Sequence, residues 1–297
     1  MAPRHQQHIP LAILYTLVAA FSLASMSFIV KVIGNRATTD MIIFARFFIC
    51  LLLVLPWVLK NPKETIKVIH PGKLIFRSLF TFLAMSCFFY ALRQISLTDA
   101  LLMNNTYPLF VPIVTAILVK TKTSYKIWCS IVLGFCGLAF ILKPDASFFT
   151  SGGLIALGSG VLGAVAIVLI RLMTKASSIL QILFYNFLIG SIIAAVFLPW
   201  NWMALDKEMI VLLFLVGLIG LGYQCFSTLA YAKAPVRITS PLIFFSVIFG
   251  TLGDYLYWNV EPDLFTLLGM GLIILGGSLT IYFGQKEFIP HLKERKK

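Results

Sequence analysis

Runs of apolar residues, each about twenty residues long, follow one another along almost the whole sequence. A helix rises about 1.5 Å per residue, so about twenty residues cross the roughly 30 Å hydrocarbon core of a bilayer. Inside that core no water is present, so backbone N–H and C=O groups must form hydrogen bonds within the protein. A helix satisfies them within a single run of this length. Only 12% of the residues are charged, against about 25% in soluble domains. We therefore predict an all-α polytopic membrane protein.

Short polar links that carry Pro, Asn, Gly and Lys separate ten such runs. Each run is long enough for one crossing, so we expect ten transmembrane helices. The predicted spans are Leu11–Val30, Met41–Leu59, Leu74–Leu92, Asp99–Val119, Ile127–Leu142, Gly152–Ile170, Ile179–Pro199, Met209–Ala230, Ser240–Trp258 and Phe265–Gly284.

The spans divide into two halves of five, residues 1–147 and 148–297. The segment Val247–Ile281 can be laid over Pro108–Leu142 without gaps, with three identical positions. Because five is odd, the two halves enter the membrane in opposite directions. We therefore predict two inverted five-helix repeats, an arrangement common in secondary transporters, whose substrate site lies between the repeats.

The basic residues are divided unevenly between the two sides of the membrane. With the N-terminus in the cytoplasm, 17 of the 24 Lys and Arg residues lie in cytoplasmic segments and five lie outside. Only Arg46 and Arg77 fall within spans. The positive-inside rule then predicts that both termini are cytoplasmic, and in a bacterium the membrane is the inner one. The net charge of +13 follows the same pattern, which favours contact with a lipid bilayer over binding of nucleic acid.

The end of the sequence carries the most specific motif. Asn259-Val-Glu261-Pro262-Asp263, followed by the glycine-spaced run Leu268–Gly277, resembles the closing signature of the EamA-type transporters of the drug/metabolite transporter superfamily. Weaker matches are Arg46 before a Phe/Leu-rich run, Tyr90-Ala91-Leu92 and Tyr107-Pro108. The resemblance covers about residues 10–284. It implies a ten-helix bundle with a central cavity lined mainly by spans 1–4 and 6–9, and with spans 5 and 10 at the periphery.

Charged and amide side chains inside the spans are candidates for substrate binding. An ionised Asp at the centre of a span costs about 2.5–3.5 kcal/mol on insertion scales, so Asp254 requires an explanation. Arg46, Asn104, Asn105 and Asp254 have similar predicted depths in the outer half of the membrane. We expect a polar pocket for an amphoteric substrate, with Arg46 binding a carboxylate and Asp254 a cation. Two alternatives are an Arg46–Asp254 pair that only braces the helices, and side chains that reach the interface.

Other polar residues complete the candidate site. Gln224, Thr228 and Tyr231 are spaced so that they share one face of a helix. Arg77 lies near a cytoplasmic span end, and we expect it to extend to the headgroups. Pro108 and Pro112 interrupt the hydrogen bonds of the fourth span, so we expect this span to bend during transport. The remaining substrate-binding candidates are Tyr90, Tyr107, Tyr185 and Asn186.

The residue types exclude several kinds of chemistry. The sequence has no GxxxxGK[ST] loop for ATP, so energy comes from a gradient or from exchange, and Asp254 is the candidate proton carrier. The histidines lie in tails or links and the cysteines form no CxxC pair, so we expect no metal, no cofactor and no enzymatic activity.

We predict a secondary active transporter that moves a small organic metabolite by alternating access. The layout also resembles the sub-group that takes up S-adenosylmethionine, which is a specific alternative. A lipid-modifying membrane enzyme and a passive channel are the alternatives from other classes.

Overall fold

A computed structural model describes residues 8–60, 62–66, 71–95, 97–120, 124–142, 151–174, 177–259 and 261–294. All regular secondary structure in these ranges is helical, which confirms the predicted fold class. The α-helices are α1 (Ile9–Ile33), α2 (Thr39–Lys60), α3 (Pro62–Ile66), α4 (Pro71–Leu92), α5 (Leu97–Asn104), α6 (Tyr107–Val119), α7 (Tyr125–Leu142), α8 (Ser151–Met173), α9 (Ile179–Phe197), α10 (Lys207–Lys233), α11 (Val236–Thr239), α12 (Phe245–Trp258) and α13 (Leu264–Glu294). Short 3-10 helices cover Gly34–Arg36, Leu198–Asn201 and Ser240–Phe244.

The ten predicted spans are present, and their ends lie within a few residues of the predicted ones, except that α13 continues to Glu294, ten residues beyond Gly284. Eight helical segments in the described ranges are long and apolar enough to cross a membrane, and Tyr107–Leu118 and Tyr125–Gly137 are shorter apolar helices. The ninth span begins as the 3-10 helix Ser240–Phe244. The short helix α3 lies in a link, and the fourth span is divided into α5 and α6. The proposed boundary between residues 147 and 148 lies outside the described residues.

The break in the fourth span lies at Asn105 and Thr106, and Pro108 follows as the second residue of α6. Proline has no N–H, so the carbonyl of Asn104 loses the helical partner that residue 108 would supply. When Val247 is laid over Pro108, Thr106 falls on Phe245, which is where the 3-10 helix of the ninth span passes into α12. The two halves are therefore interrupted at corresponding positions.

The helix contacts are symmetric when each span is exchanged with the span five places away. Packing of α1 on α10 corresponds to packing of α8 on α4, and packing of α2 on α10 corresponds to that of α9 on α4. Packing of α1 on α12 likewise corresponds to that of α8 on α5 and α6. The pairs α2–α9 and α7–α13 map onto themselves. This internal symmetry is that of two inverted repeats.

Apart from the α2–α9 pair, which packs across the boundary, these contacts divide the helices into two bundles that each mix helices from both halves. The first bundle contains α1, α2, α10 and α12, and the second contains α4, α5, α6, α8 and α9. The helices α7 and α13 pack against each other. Because the two bundles are built from both repeats, we expect the functional site between them.

Candidate functional site

A cavity of about 60 Å³ lies between the two bundles. The first bundle lines it with α1 and α10, and the second with α4, α5, α6 and α8. Four of the predicted substrate-binding residues line this cavity: Asn104, Tyr107, Gln224 and Tyr231. They come from broken or glycine-rich helices of both halves. The fold thus brings together predicted residues that are distant in the chain.

Helix α10 supplies the most polar wall of the cavity. Tyr223, Gln224, Ser227 and Tyr231 line it. Thr228, which we expected on the same face, is fully buried, and its Oγ1 donates to the carbonyl of Gln224 at 2.6 Å. Ser227 was missed. Its position three residues after Gln224 was the only available signal in the sequence. A serine within a helix commonly donates to a carbonyl of the preceding turn, as Ser227 Oγ does to the carbonyl of Tyr223 at 2.6 Å.

The break in the fourth span places two neighbouring amides in different surroundings. Asn104 lines the cavity, and its Oδ1 accepts a hydrogen bond from Ser159 at 3.0 Å. Asn105 is fully buried, and its Nδ2 donates to Ser246 Oγ on α12 at 2.7 Å. The interruptions of the fourth and ninth spans are thus joined by one hydrogen bond. Helix α8 approaches closely here through Gly160, since a Cβ at that position would overlap Thr106 Oγ1.

Arg46 lies between α2, α9 and α10 and is 1% exposed. Its Nη1 donates to Cys50 Sγ at 2.9 Å, and its guanidinium carbon lies 5.7 Å from the centre of the Phe187 ring. A Cβ on Gly220 would overlap Arg46 Nε, so the guanidinium rests directly on the backbone of α10. Arg46 Nε has no hydrogen-bond partner among the described residues.

Arg77 is fully buried, so the prediction that it extends to the headgroups is wrong. Its Nη1 donates to the carbonyl of Ile182 at 3.2 Å, because α9 packs against α4 and covers this side chain. Within the described ranges, Nε and Nη2 of Arg77 have no hydrogen-bond partner. Asn186, one turn after Ile182 on α9, is also fully buried, and both atoms of its amide lack partners in the described part of the chain.

Asp254 lies in the last turn of α12 and is half-buried. It does not line the cavity. Helix α12 packs on α1 and α5, whereas the contacts of Arg46 are with α9 and α10. The structure therefore does not bring these two residues together, although their predicted depths are similar. Its neighbour Gly253 lines an apolar groove of about 500 Å³ between α1 and α12.

Tyr90 and Tyr185 lie at opposite ends of the bundles, whereas the two predicted hinge prolines lie in α6. Tyr90 is 40% exposed, and its hydroxyl donates to Asp40 Oδ1 at 2.7 Å. The hydroxyl of Tyr185 donates to the carbonyl of Ile66 at 3.1 Å at the opposite end. Pro108 is buried near the start of α6, and Pro112 is buried within that helix. The two tyrosines therefore connect helix ends and do not line the cavity.

Polar contacts join the bundles at both ends. At one end, here called the Arg93 end, Lys31 Nζ donates to the carbonyl of Leu92 at 3.0 Å. Arg93 of the second bundle also donates to Thr39 Oγ1 of the first at 3.0 Å. At the other end, the Arg171 end, Arg171 on α8 donates to the carbonyl of Tyr231 on α10 at 2.7 Å. The cavity is therefore bounded by inter-bundle hydrogen bonds on both sides.

Comparison with known proteins places this fold in one family. The sequence model of the EamA-like transporter family matches residues 10–143 and 150–282. An S-adenosylmethionine uptake transporter of Rickettsia conorii is 26% identical over 275 residues, which are 91% of this chain and 92% of that protein. The pseudopaline exporter of Pseudomonas aeruginosa is 26% identical over 268 residues, with 89% and 93% coverage. A solved crystal structure with 16% identity shares the fold at a TM-score of 0.71, over 94% of this chain and 96% of that one. With both halves matched by the family, the chain belongs to the EamA-like transporter family.

Proposed function

We propose that this transporter moves a small amphoteric organic metabolite across the bacterial inner membrane by alternating access at the cavity between the two bundles. The observation that carries the proposal is a cavity lined by Asn104, Tyr107, Gln224 and Tyr231, with inter-bundle contacts above and below it. Hydroxyl and amide groups at such a site bind polar substrate groups, while the apolar lining excludes water.

The moving units in this proposal are the two bundles. A cavity of about 60 Å³ is small, since sites for small organic molecules have volumes of roughly 300–1,000 Å³. The bundles must therefore separate to admit a substrate, first at one end and then at the other. Bending at Pro108 and Pro112 would allow α6 to follow this motion, because each proline leaves a carbonyl without its helical partner.

The Arg93 end faces the periplasm in our proposal, and both termini are cytoplasmic. The excess of Lys and Arg in the links on the other side supports this orientation. Bacterial relatives with transporter names support the inner membrane as the location. The same names and the family favour a transporter over a lipid-modifying enzyme or a passive channel.

Uptake of S-adenosylmethionine is the specific second candidate, because relatives with that name align over nine-tenths of this chain. The compound carries a carboxylate, an ammonium and a sulfonium group and is therefore amphoteric. A similarly close relative is named as an exporter, so the direction of transport has to be measured.

The test is uptake of radiolabelled S-adenosylmethionine, amino acids and nucleobases by proteoliposomes that contain the purified protein. We expect saturable uptake of at least one compound, stimulated by the same compound on the far side if transport is by exchange. If transport is instead coupled to protons, a proton gradient should stimulate uptake. Asp254→Asn should then abolish this stimulation. Gln224→Ala should lower uptake by about two- to tenfold, since it removes hydrogen bonds to the substrate.

Tyr255→Phe is the matched control, because Tyr255 is an exposed tyrosine on α12 outside the cavity. Its uptake should equal that of the parent. Uptake that does not saturate would indicate a channel, and full uptake by Gln224→Ala would show that this cavity is not the substrate site.

A further inference from the structure

Two buried arginines from different bundles pack against the same segment of α9. Arg46 extends from α2 of the first bundle, and Arg77 from α4 of the second. Arg77 donates to the carbonyl of Ile182, and Arg46 lies over the ring of Phe187. Arg46 also rests on Gly220 of α10, about one turn before Tyr223, which lines the cavity. The two cations therefore converge on one segment of α9, and Arg46 lies beside a helix that lines the cavity.

Neither arginine has an acidic partner among the described residues. Arg46 contacts a thiol and two aromatic rings, and Arg77 contacts one backbone carbonyl. Guanidinium groups remain protonated in proteins, so both positive charges persist in a region shielded from water. Such charges are normally paired, and those within membrane spans commonly mark a substrate path.

The cluster has more donors than acceptors. Arg46 Nε and two nitrogens of Arg77 are buried without a partner in the described ranges, and so is the amide of Asn186. Asn186 lies between Ile182, which accepts from Arg77, and Phe187, whose ring lies under Arg46. Carboxylates match this donor arrangement, because each carboxylate accepts two parallel N–H bonds from one guanidinium.

We propose that Arg46, Arg77 and Asn186 form a binding site for the anionic end of the substrate, and that this substrate carries at least two carboxylates. This inference rests on the proposed function and specifies the substrate class. One carboxylate binds Arg46 of the first bundle, and the other binds Arg77 of the second. The bound dianion then offsets the repulsion between the two cations and joins the bundles, while Tyr223 moves aside as the cavity widens.

The first experiment uses the unmodified protein in lipid nanodiscs and measures binding by calorimetry. The probes are succinate, citrate and L-glutamate, with L-glutamine, L-methionine and S-adenosylmethionine as comparison compounds. L-Glutamine is the sharpest control, because an amide replaces one carboxylate at nearly the same shape. We expect L-glutamate to bind at least about tenfold more tightly than L-glutamine. Equal affinity for the two, or no binding by any of the three polycarboxylates, overturns the proposal.

The second experiment measures L-glutamate binding by the single variants Arg46→Gln and Arg77→Gln. The single variant Arg36→Gln is the control. Arg36 is an exposed arginine that pairs with Glu208 at 2.7 Å, away from the cavity. We expect both buried variants to lose at least about tenfold in L-glutamate affinity and the control to lose none. Arg77→Lys keeps the charge without the planar fork and should bind with intermediate affinity.

Unchanged L-glutamate binding by folded Arg46→Gln and Arg77→Gln overturns the site. The two proposals can fail separately. S-Adenosylmethionine uptake that is unaffected by both arginine variants would support the transporter proposal and overturn this one. Tight binding of L-glutamate without uptake of any compound would support the anion site and contradict transport.

Discussion

At the scale of single residues, the position of Arg46 depends on a glycine of another helix. Gly220 has no side chain, so α10 can approach the guanidinium, and any Cβ there would overlap Nε, Cδ and Cζ of Arg46. The same principle operates between α7 and α13, where a Cβ on Gly276 would lie 2.7 Å from the backbone nitrogen of Gly134. Small residues at helix contacts allow this close approach in membranes, which are as apolar as the side chains they surround.

We expect Gly220→Ala to lower the free energy of unfolding by about 1–3 kcal/mol, because Arg46 must move to make room for the methyl group. The measurement is unfolding of the protein in detergent. Gly158→Ala on α8 is the control, since no heavy atom lies within 4 Å of a Cβ built there. A Gly220→Ala protein as stable as the Gly158→Ala protein would show that Arg46 does not occupy this position.

At the scale of helices, the fourth and ninth spans are interrupted at corresponding positions, and the interruption of the fourth lies beside the cavity, which Asn104 and Tyr107 line. Discontinuous spans at corresponding positions of two repeats are where transporters expose backbone groups near a substrate. Here the interruptions are linked by Asn105 and Ser246, which lie in different bundles. This bond therefore joins the two bundles where the two spans are interrupted.

Asn105→Ala and Ser246→Ala should be coupled in a double-mutant cycle by about 0.5–1.5 kcal/mol, the net contribution of one such hydrogen bond. Unfolding free energies of the parent, both single variants and the double variant give this value. Asn105→Ala combined with Ser22→Ala is the control cycle and should be additive, because Ser22 bonds the carbonyl of Val18 in its own helix. Additivity in the first cycle would contradict a bond between the two spans.

At the scale of the whole molecule, the sequence halves and the packing units differ. The helices pack mainly across the halves, so each bundle contains spans from both repeats. Rocking of the two halves of the sequence against each other would break three of the most extensive contacts, those of α7 with α13, of α1 with α10 and of α4 with α8. Rocking of the bundles would keep the contacts of α1 with α10 and of α4 with α8, would open the cavity between the bundles, and would require movement at the contact of α2 with α9.

The contacts at the two ends should therefore control access in opposite directions. We expect Tyr90→Phe with Arg93→Gln to weaken the Arg93 end, and Arg171→Gln to weaken the other end. The readout is labelling of Ser227→Cys in the cavity by a maleimide that does not cross the membrane, added outside cells. The five native cysteines are replaced beforehand.

Labelling of Ser227→Cys should increase by about two- to tenfold in the first variant and decrease in the second, because each removes hydrogen bonds from one closed end. Tyr255→Phe should leave the rate unchanged. Identical labelling rates in all variants would contradict gating by these contacts.

The sequence alone determined the number of spans, their approximate ends and the inverted repeat. Span length and apolar character are local properties that the bilayer thickness fixes, so they can be read without knowing any neighbour. Pro108, the second residue of α6, likewise indicated an interruption, and the spacing of Gln224 and Tyr231 indicated one wall of the cavity.

Only the tertiary structure decided which side chains meet. Counting residues along a span gives depth in the membrane, but lipid is as apolar as the protein interior, so the pattern gives little information about the direction a helix faces. Asp254 and Arg46 therefore had similar predicted depths but different neighbours, and Arg77 was expected at the interface although α9 buries it. Depth follows from the order of residues, whereas the lateral position of each side chain follows from which helices pack around it.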